Sequence, residues 1–191
     1  MWVHRVLATT ILLLLAGIAD AGSISYVQLK TRGVVAHIAT VNLHDSQVKV
    51  SVAFAKRGRG SSESFKSIVY RTKPALAITG TFFDTRTLIP TGDIALYGLT
   101  VHRGVVGAAL CIDQNNKAQI IPFKEGHKTD WEGYETVMCA GPTLVAKGKV
   151  TLTLKKEGFR NSLFAPAKRT AVGIKADGRL VFLTINRSTT L

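Results

Sequence analysis

Short β-branched runs, each closed by turn residues, constrain this chain more than any other feature. Thr170 to Lys175 and Leu180 to Ile185 flank Ala176-Asp177-Gly178-Arg179, and an Asp-Gly turn between apolar runs predicts a hairpin. Val106 to Asp113 and Lys117 to Pro122 repeat the pattern across Gln114-Asn115-Asn116, and Leu144 to Leu152 repeats it across Lys147-Gly148. Val34 to Leu43 and Gln47 to Phe54 predict a fourth hairpin around His44-Asp45-Ser46, and Ala75 to Thr79 reads as a strand entering a Gly-punctuated turn. Between them, Lys56-Arg57-Gly58-Arg59-Gly60-Ser61-Ser62 has the composition of a loop. Ser62 is placed to cap a short helix whose Phe65, Ile68 and Val69 share one face. No repeat, low-complexity tract or shift in composition divides these segments. The fold class expected is therefore α+β, a strand-rich single domain with few short helices. Leu180 to Ile185 is followed only by Asn186 to Leu191, a pattern that leaves the domain incomplete at its C-terminus.

The N-terminus reads as an export signal. Arg5 lies in a short basic start, Val6 to Ile18 is apolar, and Ala19-Asp20-Ala21 offers small residues at alternate positions for a signal peptidase. The apolar run falls short of the roughly 20 residues that a membrane-spanning helix needs, so no stable span remains after cleavage. Residues 1–21 are then the signal peptide and 22–191 the working domain. One arginine and one aspartate leave with the signal, so the folded part keeps the whole net charge of +13. Such an excess points to anionic partners. Export, and the lack of any helix-turn-helix, zinc finger or aromatic-basic strand motif, argue against nucleic acid. Phosphate-linked sugars and acidic polymers of a bacterial envelope fit better, and the location expected is secreted or periplasmic.

The sequence has no GxSxG, HExxH, P-loop or CxxC motif, and His4, His37, His44, His102 and His127 have no helical metal-ligand spacing; no metal and no cofactor are expected. Three clusters remain. In the first, Thr79-Gly80-Thr81-Phe82-Phe83-Asp84 runs on to Pro90-Thr91-Gly92-Asp93. Gly80 and Gly92 permit a close backbone approach to a ligand, Phe82 or Phe83 can stack on a sugar, and Asp84 can bind hydroxyls or act as acid or base. An ordinary turn with Asp84 as its Asx cap fits the same residues. In the second, Asp130-Trp131-Glu132-Gly133-Tyr134-Glu135 leads to Cys139-Ala140-Gly141-Pro142. Carboxylates among aromatics resemble a carbohydrate site, and a loop anchored by a buried Trp is the alternative. In the third, Arg169 beside Thr170 can grip a phosphate through its planar fork or be a surface charge of a basic protein. Cys111 and Cys139 are either a disulfide or two buried thiols, and Asn186-Arg187-Ser188 matches a glycosylation sequon.

Taken in order, these motifs resemble the phosphodiester glycosidase family, in particular the exported bacterial relatives of N-acetylglucosamine-1-phosphodiester alpha-N-acetylglucosaminidase, the uncovering enzyme. The resemblance rests on Thr79-Gly80-Thr81-Phe82-Phe83 with Pro90-Thr91-Gly92, on Gly141-Pro142-Thr143-Leu144-Val145 with Gly148, and on Arg169-Thr170-Ala171-Val172-Gly173 with Asp177-Gly178. It extends from Tyr26 to Leu191. Thr79 stands where the family usually has Asn, and the sequence stops before the family's Asp-Gly-Gly-Ser-like motif. The resemblance implies hydrolysis of a sugar joined through C1 to a phosphodiester, in envelope or exopolysaccharide glycans. It implies Asp84, Glu135 and Arg169 as catalytic residues, with Thr79, Gly80, Phe82, Phe83, Gly92, Gly141, Pro142 and Thr170 binding substrate. A non-catalytic envelope protein that binds anionic polysaccharide or cell-wall polymer is the second reading; Phe82, Phe83, Trp131 and the basic residues would serve it equally. The residues do not specify an oligomeric state.

Overall fold

The computed structural model describes residues 22–31, 33–122, 129–159 and 161–190. The proposed signal peptide, His127 and the end of the chain lie outside them.

Among the described residues, eleven strands form two main antiparallel sheets and a miniature hairpin. The first sheet holds β1 (Ile24–Thr31), β2 (Val34–Val41), β10 (Ala167–Ile174) and β11 (Leu180–Thr189) in the order β1-β2-β11-β10. The second holds β3 (Ile94–Leu96), β4 (Leu99–His102), β5 (Ala109–Asp113), β6 (Ala118–Ile121) and β7 (Tyr134–Cys139) in the order β4-β3-β7-β5-β6. β8 (Val145–Ala146) and β9 (Lys149–Val150) close on Lys147 and Gly148, both at positive φ as a tight hairpin turn requires. The strand-rich, helix-poor architecture of the α+β expectation holds.

Alternation along the strands fixes which faces meet. Val41 and Leu180 from the first sheet, with Leu43 just past β2, pack against Leu110 and Ile112 of β5, and Ile174, Val172 and Phe182 are partly buried around them. Ala95, Ala109, Cys111, Val137 and Cys139 project from the opposite face of the second sheet, and Trp131, 3% exposed, covers them. The five-stranded sheet is therefore buried on both sides. That explains why Ala109–Ile112 is an unbroken buried run rather than an alternating one.

Three expected hairpins form: β5–β6, β8–β9 and β10–β11. The fourth does not. β2 pairs instead with β1 and with β11, leaving no free edge for residues 47–54. Those residues run without strand structure, held by side chains: Asn116 Nδ2 donates to Leu43 O and Val48 O, and Thr136 Oγ1 donates to Val50 O. Ala75 to Thr79 likewise joins no sheet, although Leu76 packs into the core between the sheets. The helix forms as α1 (Phe65–Thr72), but its cap is Ser64, whose side chain accepts from Ser67 N, rather than Ser62. None of its side chains is fully buried. β11 continues through Asn186 to Thr189, where the sequence suggested a loop.

Candidate functional site

The first cluster folds as a hairpin-like loop between the two sheets. Thr91 N donates to Phe82 O and Asp84 N donates to Ile89 O, with Phe83 and Pro90 bridging opposite one another. Asp84 closes the tip. Its Oδ1 accepts from Arg86 N at 2.9 Å, Thr87 N at 2.8 Å and Thr87 Oγ1 at 3.0 Å, and these bonds hold the carboxyl below its usual range. The Asx-cap reading of Asp84 is thus what the geometry contains. Capping occupies one carboxylate oxygen and keeps the exposed group ionised. Phe83 is 54% exposed, whereas Phe82 meets Phe159 edge-on at 6.0 Å between ring centres.

Gly80 and Gly92 do allow close approach, but the neighbour is protein. A Cβ on Gly80 would stand 2.8 Å from Met138 Sδ, and one on buried Gly92 would stand 2.3 Å from Cys139 O. Both glycines seat the loop against β7. Thr79 Oγ1 donates to Thr170 Oγ1 at 3.4 Å, so the start of the first motif meets the third motif on β10. On the other flank, His102 Nε2 contacts Pro90 O at 2.7 Å; a carbonyl only accepts, so this nitrogen carries the proton.

Arg169 adjoins this group with its donors engaged. Nε donates to Thr189 O at 3.1 Å, and Nη2 donates to Leu163 O at 2.9 Å and Ala165 O at 2.5 Å. Only Nη1 has no partner among the described residues, so no fork of two neighbouring N–H groups faces outward. Arg169 ties β10 to β11 and to the turn before β10, and so orients Thr170.

Glu135 is half-buried on β7, and its backbone O accepts from Tyr97 N. Ile112 pairs with Thr136 and Asp113 with Tyr134, so Glu135 is the extra residue of a bulge. Past the bulge, Thr136 and Met138 turn toward Val50 and Gly80, while Tyr134 before it packs on Trp131. The rest of the second cluster is structural. Trp131 is buried with its Nε1 donating to Asp93 Oδ2 at 2.7 Å, and Asp130 Oδ1 accepts from Glu132 N. Asp93 also accepts from Gly104 N and pairs with Arg103 at 3.3 Å. Trp131 is therefore unavailable as a sugar platform.

Gly141 O accepts from Ala108 N, and the residue after Pro142 meets a carboxylate that sequence reasoning missed. Glu157, 4% exposed, accepts from Thr143 N at 2.7 Å and from Thr153 Oγ1 at 2.8 Å. Nothing local marks it, because it follows two exposed lysines in an ordinary polar stretch. Cys111 and Cys139 are free buried thiols, both pushed up to about 12 mainly by burial. Among the described residues, no three His, Cys, Asp or Glu side chains gather as a metal site would require, and no helix is long and apolar enough to cross a membrane.

The model of the phosphodiester glycosidase family matches residues 72–191, a span that contains all three motifs. The chain belongs to the phosphodiester glycosidase family. Its fold is similar to that of the catalytic domain of zebrafish N-acetylglucosamine-1-phosphodiester alpha-N-acetylglucosaminidase auto-inhibited by its pro-peptide, with a TM-score of 0.67 and 20% identity over 90% of this chain. A hypothetical protein from Synechocystis is also similar, at a TM-score of 0.60 and 14% identity over 88% of this chain. At such identities the likeness is one of fold. The chain spans 64% of the first structure and 52% of the second. A comparison with curated proteins finds no match.

Proposed function

We propose that this protein is an exported phosphodiester glycosidase that hydrolyses sugars joined through C1 to a phosphodiester, of the N-acetylglucosamine-1-phosphodiester type, in envelope or exopolysaccharide glycans. The observation that carries the reading is Asp84, an ionised, exposed carboxylate at the tip of the family's first motif, beside the open ring of Phe83. A phosphomonoester leaves readily and needs little help from a general acid. The demanding part is the oxocarbenium-like transition state, which a fixed carboxylate stabilises. Asp84 takes that role, Phe83 stacks on the sugar, and Thr79 and Thr170 offer hydroxyls. Arg169 acts at one remove by orienting Thr170, while Gly80, Gly92, Gly141 and Pro142 shape the backbone. Export rests on residues 1–21, and the charge of +13 suits a phosphate-bearing substrate.

The test is release of free N-acetylglucosamine from a synthetic N-acetylglucosamine-1-phosphodiester by the purified protein. Release that is lost in Asp84→Asn supports the reading. Saturable binding of the phosphodiester without release favours the second reading, a non-catalytic binder of anionic polysaccharide.

A further inference from the structure

The loop from Lys56 to Ser62 lies outside the family match, yet it packs beside the Asp84 turn: a Cβ on Gly60 would stand 3.7 Å from Thr87 O. Gly58 and Gly60, at φ +84° and +77°, bend the chain on either side of Arg59. Gly58 N donates to Ala55 O, and Ser61 Oγ donates to Gly58 O, fixing the bend. Arg59 Nη1 then reaches His102 Nδ1 at 3.2 Å. Since His102 Nε2 already donates to Pro90 O, Nδ1 holds the lone pair and accepts from the guanidinium. Arg59 is thereby tied, through a neutral imidazole, to Pro90 of the first motif.

This sets Arg59 apart from the other arginines with side-chain bonds. Arg71, Arg103 and Arg179 face Glu63, Asp93 and Asp177. Arg169 makes three bonds to carbonyls, and Arg187 donates Nη1 to Gly33 O at the turn between β1 and β2. Arg59 is oriented without being neutralised: among the described residues it has no carboxylate partner, and its outer N–H groups are exposed. A cation held in place by an uncharged support keeps both its charge and its fork for an anion. Arg86 on the neighbouring turn adds a second exposed cation.

We propose that Arg59, positioned by His102, grips the phosphate of the glycan substrate and gives this protein its preference for phosphodiesters over neutral glycosides. The assignment rests on the glycosidase reading above, and it places the phosphate on the Pro90 flank of the Asp84 loop rather than at Arg169.

The experiment uses the full chain with Arg59→Ala, Arg59→Lys and His102→Ala. It measures kcat/KM on an N-acetylglucosamine-1-phosphodiester and on an uncharged aryl N-acetylglucosaminide, and measures inorganic phosphate binding by NMR titration. Arg59→Ala should lose about tenfold or more on the phosphodiester and in phosphate affinity, as removal of a charged hydrogen-bond pair implies, while changing less than about twofold on the aryl glycoside. Arg59→Lys should recover little of this loss, because the charge remains and the fork does not. His102→Ala should lower the phosphodiester preference in the same direction, which a merely structural role would leave unmoved. Unchanged phosphodiester preference in Arg59→Ala overturns the proposal while leaving the glycosidase reading intact. If the wild type cleaves neither substrate, the glycosidase reading falls, and phosphate affinity alone decides: loss in Arg59→Ala keeps the anion site, and no change removes it.

Discussion

Asp84 and the two cysteines are governed by opposite environments. Hydrogen bonds from Thr87 and Arg86 depress the Asp84 carboxyl below its ordinary value of 3.8. A depressed carboxyl contributes stability that is present above its unfolded value and lost as pH falls through its folded value. The same group keeps its negative charge for catalysis over that range. The acid limb of the pH–rate profile should therefore begin below pH 3.8, and Asp84→Asn should lower kcat by about a hundredfold or more with KM little changed. An acid limb centred near pH 5 or above would assign the work to another group. Cys111 and Cys139, raised to about 12, should resist iodoacetamide at pH 8 and react fully in denaturant. Rapid native alkylation read by mass spectrometry would contradict their burial. The sequence left Asp84 open between cap and catalyst and the cysteines open between bridge and thiols. The structure shows Asp84 capping its turn through Thr87, three residues on, and both cysteines buried as free thiols on adjacent strands.

Elements differ in how much of their stability is local. β5–β6, β8–β9 and β10–β11 were legible because each hairpin closes on its own turn chemistry. β1–β2 and the run of residues 47–54 were not, since β-branched alternation states that a segment is extended without naming its partner. Helix α1 buries no side chain completely, so it depends on its Ser64 cap and on the Glu63–Arg71 pair at 2.9 Å. Arg71 holds Glu63 down to about 2 from 4.5, so the stabilisation it gives is present above pH 4.5 and fades as pH falls toward 2. In Glu63→Gln, melting curves should lose this part of their acid dependence. Gly107 tests a tighter constraint. At φ +93°, a Cβ there would stand 2.1 Å from Ala140 O, whereas Gly98 at φ +74° has nothing within 4 Å. Gly107→Ala should cost more than about 3 kcal/mol in urea unfolding, and Gly98→Ala only about 1–2 kcal/mol. Equal costs would mean that the β7 end does not press on Gly107.

At the scale of the molecule, Leu180 joins the sheets. It is fully buried, pairs with Val41 across the ladder and packs toward Leu110 and Ile112 of the other sheet. Leu180→Ala should destabilise the fold by about 2–5 kcal/mol in a single cooperative transition, because its cavity opens between layers that cannot close independently. Two separate transitions would show sheets that fold apart.

Patterning, turn residues and ordered motifs in the sequence by itself determined that the protein is strand-rich, where three of its hairpins turn, and which family it belongs to. Those properties are local or additive along the chain. The tertiary structure alone decided which strand β2 pairs with and where β7 bulges. It alone decided that Trp131 is buried, that the Arg169 fork is spent on carbonyls, and that Arg59 stands beside Pro90. Each of these depends on contacts between residues distant in sequence or on a one-residue bulge that reverses a side chain, and strand periodicity is blind to both.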